Sequence, residues 1–249
     1  MERGMRMQGS RRLLLAAWGA FAVASALRPW RAFGQAAGGT PPRIGIIGSG
    51  HIGSTVGALW IKAGHAVLFS SRHPGELADL VARLGPLAQA GTVAQAIAFG
   101  DVVFIAVPYR ALPQIGQDAG ATLKDKVVLD ACNAVPARDG TIADEVERDG
   151  IGVTSQKYLP GAKLVRTFNT LNYRILEHEA DRAPPRLAIP VAGDDAAAVQ
   201  VGAALVRDAG FDPVVVGTLA DARRFQRGGP GYGLSVTAAE FRQKLALAP

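Results

Sequence analysis

Residues 43–72 read RIGIIGSGHIGSTVGALWIKAGHAVLFSSR, and the fold follows from this stretch. An apolar strand, Arg43 to Ile47, runs into Gly48-Ser49-Gly50-His51-Ile52-Gly53; a helix is expected over 51–63 and a second strand over 66–70. This glycine spacing is a weak signal alone and gains weight from following a strand and opening a helix. Gly48 permits the tight turn, Gly50 lets the backbone approach a pyrophosphate, and Gly53 lets the helix pack close to the strand. The free N–H groups and partial positive charge of the helix N-terminus then face the phosphates. The plainer alternative is a glycine-rich turn without a ligand.

The end of the second strand bears on which dinucleotide is bound. An acid there would hold the ribose hydroxyls of NAD. Here Val67-Leu68-Phe69 leads into Ser70-Ser71-Arg72-His73, with hydroxyls and a guanidinium but no acid. Ser71 and Arg72 therefore point to the 2′-phosphate of NADP, which a guanidinium can bind bidentately. Alternatively, Arg72 is solvated and stacks on adenine with either cofactor. His51 lies inside the loop and could reach a phosphate. His65 is expected to be structural, and His178, in an acidic stretch, exposed.

Working outward, strands are expected at 43–47, 66–70, 101–107, 126–131, 163–168, 186–192 and 213–217, with a short one near 87–88. Helices are expected at 51–63, 75–84, 92–98, 110–121, 141–149, 195–209 and 236–247. Alternation of this kind indicates an α/β fold, a doubly wound, mostly parallel sheet. Continuous apolar runs such as VVFIAV and VVLDA suit strands covered on both faces. The region after 180 still alternates and is read as extending the same sheet. The stretch from Arg223 to Gly233 is expected to form a mobile loop near the site.

Composition narrows the classes. Of 249 residues, 49% are apolar and 19% charged, which excludes long disorder. The net charge of +6 sits mostly in residues 1–36, which hold six Arg and one Glu. The remainder is nearly balanced, with 21 basic and 20 acidic residues, so nucleic acid is not expected as a partner. The lone cysteine, Cys132, excludes an internal disulfide and a cysteine-based metal cluster, and it reads as buried packing. No metal site is expected.

Residues 1–36 read as an export signal. Four arginines precede the uncharged run LLLAAWGAFAVASAL, and a small-residue stretch follows. As a helix that run spans about 22 Å, short of the roughly 30 Å hydrocarbon core. Ser10-Arg11-Arg12-Leu13-Leu14 resembles a twin-arginine signal. The expectation is a periplasmic or otherwise exported protein that meets the twin-arginine machinery in transit. An uncleaved anchor or a start placed too early, with the protein then cytoplasmic, is the alternative. Residues 37–42 read as a linker and 43–249 as a single dinucleotide-binding domain with a C-terminal extension.

Over about residues 43–220 the chain resembles the NADPH-dependent reductases of the deazaflavin-coenzyme type, a Rossmann family. The resemblance rests on the opening stretch, on DVVFIAVPYRALP, KVVLDACNAV and KLVRTFNTL, and on VAGDDAAAVQVGAALVRDAGFDPVVVG. It implies that Ser71 and Arg72 hold the 2′-phosphate, with Ser49 assisting. It implies further that Val107 and Pro108 border the ribose, and that Asn133 and Phe168-Asn169 approach the nicotinamide. The residues themselves agree: Pro108, Asn133 and Asn169 fall at the carboxyl ends of strands, where open parallel sheets bind ligands. An Asn there can orient a carboxamide through donor and acceptor, although a turn or cap would also employ one.

Three functions compete. The first is an NADPH-dependent oxidoreductase moving hydride between nicotinamide and a flat, small-molecule redox acceptor such as a deazaflavin or flavin, with Asn133 and Asn169 as catalytic candidates. The second is an NADP-binding sensor without turnover. The third is a reductase of a small imine or hydroxy acid, but relatives of that kind append a large helical domain after the sixth strand. Here about 80 residues follow Asn169, and they include strands. A homodimer is compatible with each.

Overall fold

The computed structural model describes Met1 and residues 40–248. The expected export leader at 1–36 and most of the linker lie outside the described residues. In chain order the elements are β1 (Ile44–Ile47), α1 (His51–Lys62), β2 (Val67–Ser70), α2 (Ala78–Leu84), β3 (Ala88–Gly91), α3 (Val93–Phe99), β4 (Val102–Ile105) and α4 (Leu112–Leu123). Then follow β5 (Val127–Asp130), α5 (Pro136–Asp139), α6 (Thr141–Asp149), α7 (Ile151–Tyr158), β6 (Lys163–Arg166) and α8 (Tyr173–Glu179). The chain closes with β7 (Ala188–Gly193), α9 (Ala196–Asp208), β8 (Asp212–Gly217) and α10 (Ala238–Lys244).

The eight strands form one sheet in the order β3-β2-β1-β4-β5-β6-β7-β8. The first six are parallel, and the connection reverses direction across the sheet between β1 and β4, which opens a crevice at their carboxyl ends. Because successive side chains face opposite ways, each strand feeds two cores. Ile44, Ile46, Val102 and Phe104 pack on one face with Trp60 and Phe168, whereas Ile47, Val103 and Ile105 pack on the other with Tyr109 and Phe225. Trp60 is fully buried, donates its indole N–H to the Leu205 carbonyl at 2.8 Å, and meets Phe104 and Phe168 edge-on. It thereby fixes α1 against α9, beneath the glycine loop.

The C-terminal part extends the same sheet but turns round. β7 runs antiparallel to β6, pairing Val165 with Gly193, and β8 is parallel to β7. The Gly193-Asp194-Asp195 strand end consequently lies at the amino edge of the first six strands, away from the crevice. There Asp195 caps α9 by accepting from the Ala198 N–H at 2.8 Å, and Asp194 accepts from the Leu219 N–H at 2.9 Å.

Three helices are missing from the sequence reading: the four-residue α5, α7 and α8. α7 buries Ile151, Gly152, Thr154 and Ser155, a face too polar and small to show an apolar period. α8 has only seven residues and is started by the Asn172 side chain, which accepts from the Arg174 N–H at 2.9 Å. The Arg223–Gly233 stretch is likewise no free loop. Phe225 is fully buried, Gly231 N–H bonds the Arg224 carbonyl, and Gly233 N–H bonds the Thr170 carbonyl at 3.1 Å.

Candidate functional site

The glycine loop leaves β1 at Gly48, whose φ of +96° only glycine adopts without strain. A Cβ at Gly48 would also strike the Ala106 carbonyl and the Val107 side chain, so the loop packs directly on the segment after β4. At Gly50 a Cβ would meet nothing within 4 Å, which leaves the backbone open to a ligand. The first turn of α1 closes with Ser54 N–H on the Gly50 carbonyl, and no side chain caps the helix. The N–H groups at 51–53 are therefore unsatisfied donors beside an open backbone. Together they fit the pyrophosphate of a dinucleotide.

Ser71 and Arg72 directly follow β2. Ser71 Oγ accepts from the His73 N–H at 3.0 Å, which leaves its own proton available to an anion. Arg72 is exposed and has no ion-pair partner among the described residues. Ser49 differs: its hydroxyl donates its single proton to the Ser70 carbonyl at 3.0 Å, tying the glycine loop to the end of β2. In this arrangement it offers an approaching phosphate only lone pairs. His51 is exposed and stacks on Tyr173 with ring centres 4.3 Å apart and planes 9° from parallel. It thus joins the loop to α8, a contact not foreseen from the sequence.

Pro108, Asn133 and Asn169 each lie three residues beyond the ends of β4, β5 and β6. Asn133 Nδ2 donates to the Asn169 carbonyl at 2.7 Å, and Asn169 Nδ2 lies 3.4 Å from Asn133 Oδ1 and 3.1 Å from the Phe225 carbonyl. Both amide nitrogens are therefore committed, while the buried Asn169 Oδ1 has no partner within the protein. The neighbouring Thr170 Oγ1 is in the same condition. Phe168, fully buried against Trp60 and Phe104, holds φ at +57° to turn the chain into this arrangement. That conformation is costly for an aromatic residue and persists only where packing enforces it.

Asn133, Phe168, Asn169 and Thr170 line a cavity of about 380 Å³ that also includes Ile52 on α1 and Tyr173 on α8; Val107 and Pro108 are not part of its lining. Tyr232 and Gly233, from the C-terminal loop, close it opposite. Among its lining residues none carries a carboxyl, an amine or an imidazole. Tyr173 was missed by the sequence reading because α8 could not be placed from local pattern; Thr170 figured there only within a motif, and Tyr232 only as part of a loop expected near the site.

Beneath the asparagines lies a buried ion pair, also missed. Asp130 and Arg166, the last residues of β5 and β6, stand opposite one another in register, and both are fully buried. Asp130 Oδ1 accepts from the Cys132 N–H at 2.8 Å, and Arg166 Nη2 donates to the Cys132 carbonyl at 2.7 Å. The pair thus clamps the backbone immediately before Asn133. A signal was present: KVVLD and KLVR each end an apolar strand on a charge, and the charges are opposite. Burial, then the nearby Asp130 carboxylate, pushes the Cys132 thiol well above its ordinary range, so it is packing rather than a nucleophile. His65 is likewise structural, bridging the Pro42 carbonyl and Asp208, and His178 is exposed beside Glu179.

Residues 43–134 match the family described as NADP oxidoreductase coenzyme F420-dependent. The chain is 40% identical over 99 residues to the protein YjhV of Escherichia coli (strain K12), a match spanning 40% of this chain and 70% of that one. It is 27% identical over 195 residues to metalloreductase STEAP3 of Rattus norvegicus, which covers 74% of this chain but only 36% of the rat protein's length. Among solved structures, SMa0349 from Sinorhizobium meliloti superposes with a TM-score of 0.66 at 29% identity, over 79% of this chain and 96% of that one.

Proposed function

Since the chain belongs to the F420-dependent NADP oxidoreductase family, we propose that it moves hydride between NADPH and a flat conjugated acceptor, a deazaflavin or a flavin. The observation that carries this reading is the cavity wall, which is built of amides, hydroxyls and apolar groups next to the glycine loop. Direct hydride transfer needs alignment and exclusion of water rather than a strong acid–base pair. A wall with no carboxylate, amine or imidazole suits it.

When bound, NADPH supplies the hydride from its nicotinamide ring. The N–H groups at 51–53 hold the pyrophosphate, and Ser71 with Arg72 holds the 2′-phosphate. Val107 and Pro108 border the ribose. The orphaned Asn169 Oδ1 accepts from an amide N–H, Thr170 Oγ1 donates or accepts beside it, and Asn133 keeps Asn169 in place. Tyr173 and Tyr232, both in the cavity lining, would help keep water from a bound acceptor.

The test is NADPH oxidation by the purified chain against a deazaflavin, a flavin, a quinone and chelated ferric iron. The last is included because one relative is named a metalloreductase. Turnover with a flat-ring acceptor is expected. Tight NADPH binding with turnover of none of them would favour the sensor reading instead. The same proposal takes residues 1–36 as a twin-arginine leader that exports the folded, cofactor-loaded chain. Fractionation of an Arg11→Lys, Arg12→Lys double variant should then find it retained in the cytoplasm.

A further inference from the structure

We propose that Tyr173 and Arg174, at the start of α8, are dinucleotide-binding residues. With His51 they form an arm beside the glycine loop that holds the pyrophosphate together with the N–H groups at 51–53. The proposal rests on the reading of the loop as a dinucleotide site and needs no particular acceptor.

Each link of the arm is a contact. His51 is the first residue of α1, and its imidazole lies against the Tyr173 ring with centres 4.3 Å apart and planes 9° from parallel. The stack sets the start of α8 beside the phosphate-binding backbone. The Tyr173 oxygen accepts from Arg174 Nε at 3.1 Å, and the guanidinium carbon stands 5.8 Å from the centre of the same ring. The Asn172 side chain accepts from the Arg174 backbone N–H at 2.9 Å, which fixes the turn that both side chains leave. One aromatic ring therefore carries the imidazole on its face and the guanidinium at its hydroxyl.

That guanidinium is not neutralised within the protein. Its terminal nitrogens have no partner among the described residues, and the nearby Glu179 is engaged by His178 and Arg182. A cation held by a neutral hydroxyl rather than by a carboxylate keeps its charge for an anion. The loop beside it leaves such a charge to be met. A diphosphate carries two negative charges, while a helix N-terminus offers the equivalent of roughly half a positive one. Ser49 adds no donor, because its proton goes to the Ser70 carbonyl. Arg72, after β2, serves the 2′-phosphate. Arg174 is the cation that the stack brings to the diphosphate, and because Tyr173 also lines the inner cavity, the arm links that group to the reacting end.

Calorimetric titration with NADPH, NADH, ADP-ribose and 2′-AMP separates the parts. The first three carry the diphosphate, and only NADPH and 2′-AMP carry the 2′-phosphate. Arg174→Gln should raise the Kd of NADPH, NADH and ADP-ribose by one common factor, roughly 3- to 10-fold, and leave 2′-AMP unchanged. Added salt should shrink that factor. Tyr173→Ala should weaken the same three ligands at least as much, and Arg174→Gln should then add little, because the guanidinium is no longer held. Tyr173→Phe, which keeps the stack and loses the hydroxyl, should fall between. Losses confined to NADPH and 2′-AMP would move Arg174 to the 2′-phosphate and overturn the proposal, as would an Arg174→Gln protein that binds all four ligands normally. Fully additive losses from Tyr173→Ala and Arg174→Gln would make Tyr173 merely structural and also overturn the arm. Failure of the cofactor reading looks different: the unaltered protein binds neither NADPH nor NADH. Failure of the acceptor reading leaves every one of these binding constants as predicted and shows no turnover.

Discussion

Asn133 and Asn169 clasp one another across the carboxyl ends of adjacent strands, each amide nitrogen aimed at an oxygen of the other residue. The clasp spends both Nδ2 groups on the protein and leaves Asn169 Oδ1 as an unpaired acceptor in the cavity wall. A buried acceptor without a partner costs stability, and a ligand amide would recover that cost.

Asn169→Ala should therefore lower kcat much more than NADPH affinity. A misplaced reacting carbon can cost on the order of 100-fold in rate, whereas the adenine end is held elsewhere. Because Asn169 also donates to the Phe225 carbonyl, thermal melting must accompany the kinetics. A folded variant with normal turnover would remove Asn169 from the site.

Arg72→Ala should weaken NADPH binding by about 1.5–3 kcal/mol, roughly 10- to 150-fold, and leave NADH nearly unchanged. The expectation follows from an exposed guanidinium with no ion-pair partner among the described residues, placed directly after β2. Titration of both cofactors checks it. Equal losses would show that Arg72 stacks on adenine or supports the loop.

The Asp130–Arg166 pair separates stability from activity. Asp130→Leu alone should cost about 3–5 kcal/mol, since it strands a buried guanidinium. Adding Arg166→Met should return most of that stability, because apolar replacements of a buried pair are often neutral or better. Turnover should stay low in the double variant, since the clamp on the Cys132 backbone is gone. Denaturant melts and steady-state rates measured on the same samples test both halves.

Asp139 supplies a pH dependence. Burial alone would raise its pKa, but bonds from the Arg138 guanidinium and the Val135 and Arg110 N–H groups outweigh that and hold it below the ordinary carboxylate range. A depressed folded pKa gives stability that is present above the ordinary range and lost as pH falls through the folded value. The protein should thus lose stability on acidification below the usual Asp range. Asp139→Asn should lower the melting temperature near neutrality and flatten this acid limb. An unchanged limb would assign it to other carboxylates.

Much of the fold was legible because its signals are local. The turn at Gly48, the open backbone at Gly50 and the apolar runs of β4 and β5 each declare themselves within a few residues. The same holds for the absence of an acid after β2, which singled out Ser71 and Arg72. α7 and α8 were not legible. One buries glycine, threonine and serine, and the other is two turns long, so neither shows a period.

The succession of strands and helices, the carboxyl-end site edge and the cofactor loop are therefore properties of short stretches, and the chain carries them wherever it folds. The reversal of β7, the clasp between Asn133 and Asn169, the pairing of Asp130 with Arg166, and the cavity wall supplied by Tyr173 and Tyr232 are of another kind. Each depends on which residues of distant segments come opposite one another. That is a matter of register and packing in three dimensions, and no spacing along the chain encodes it.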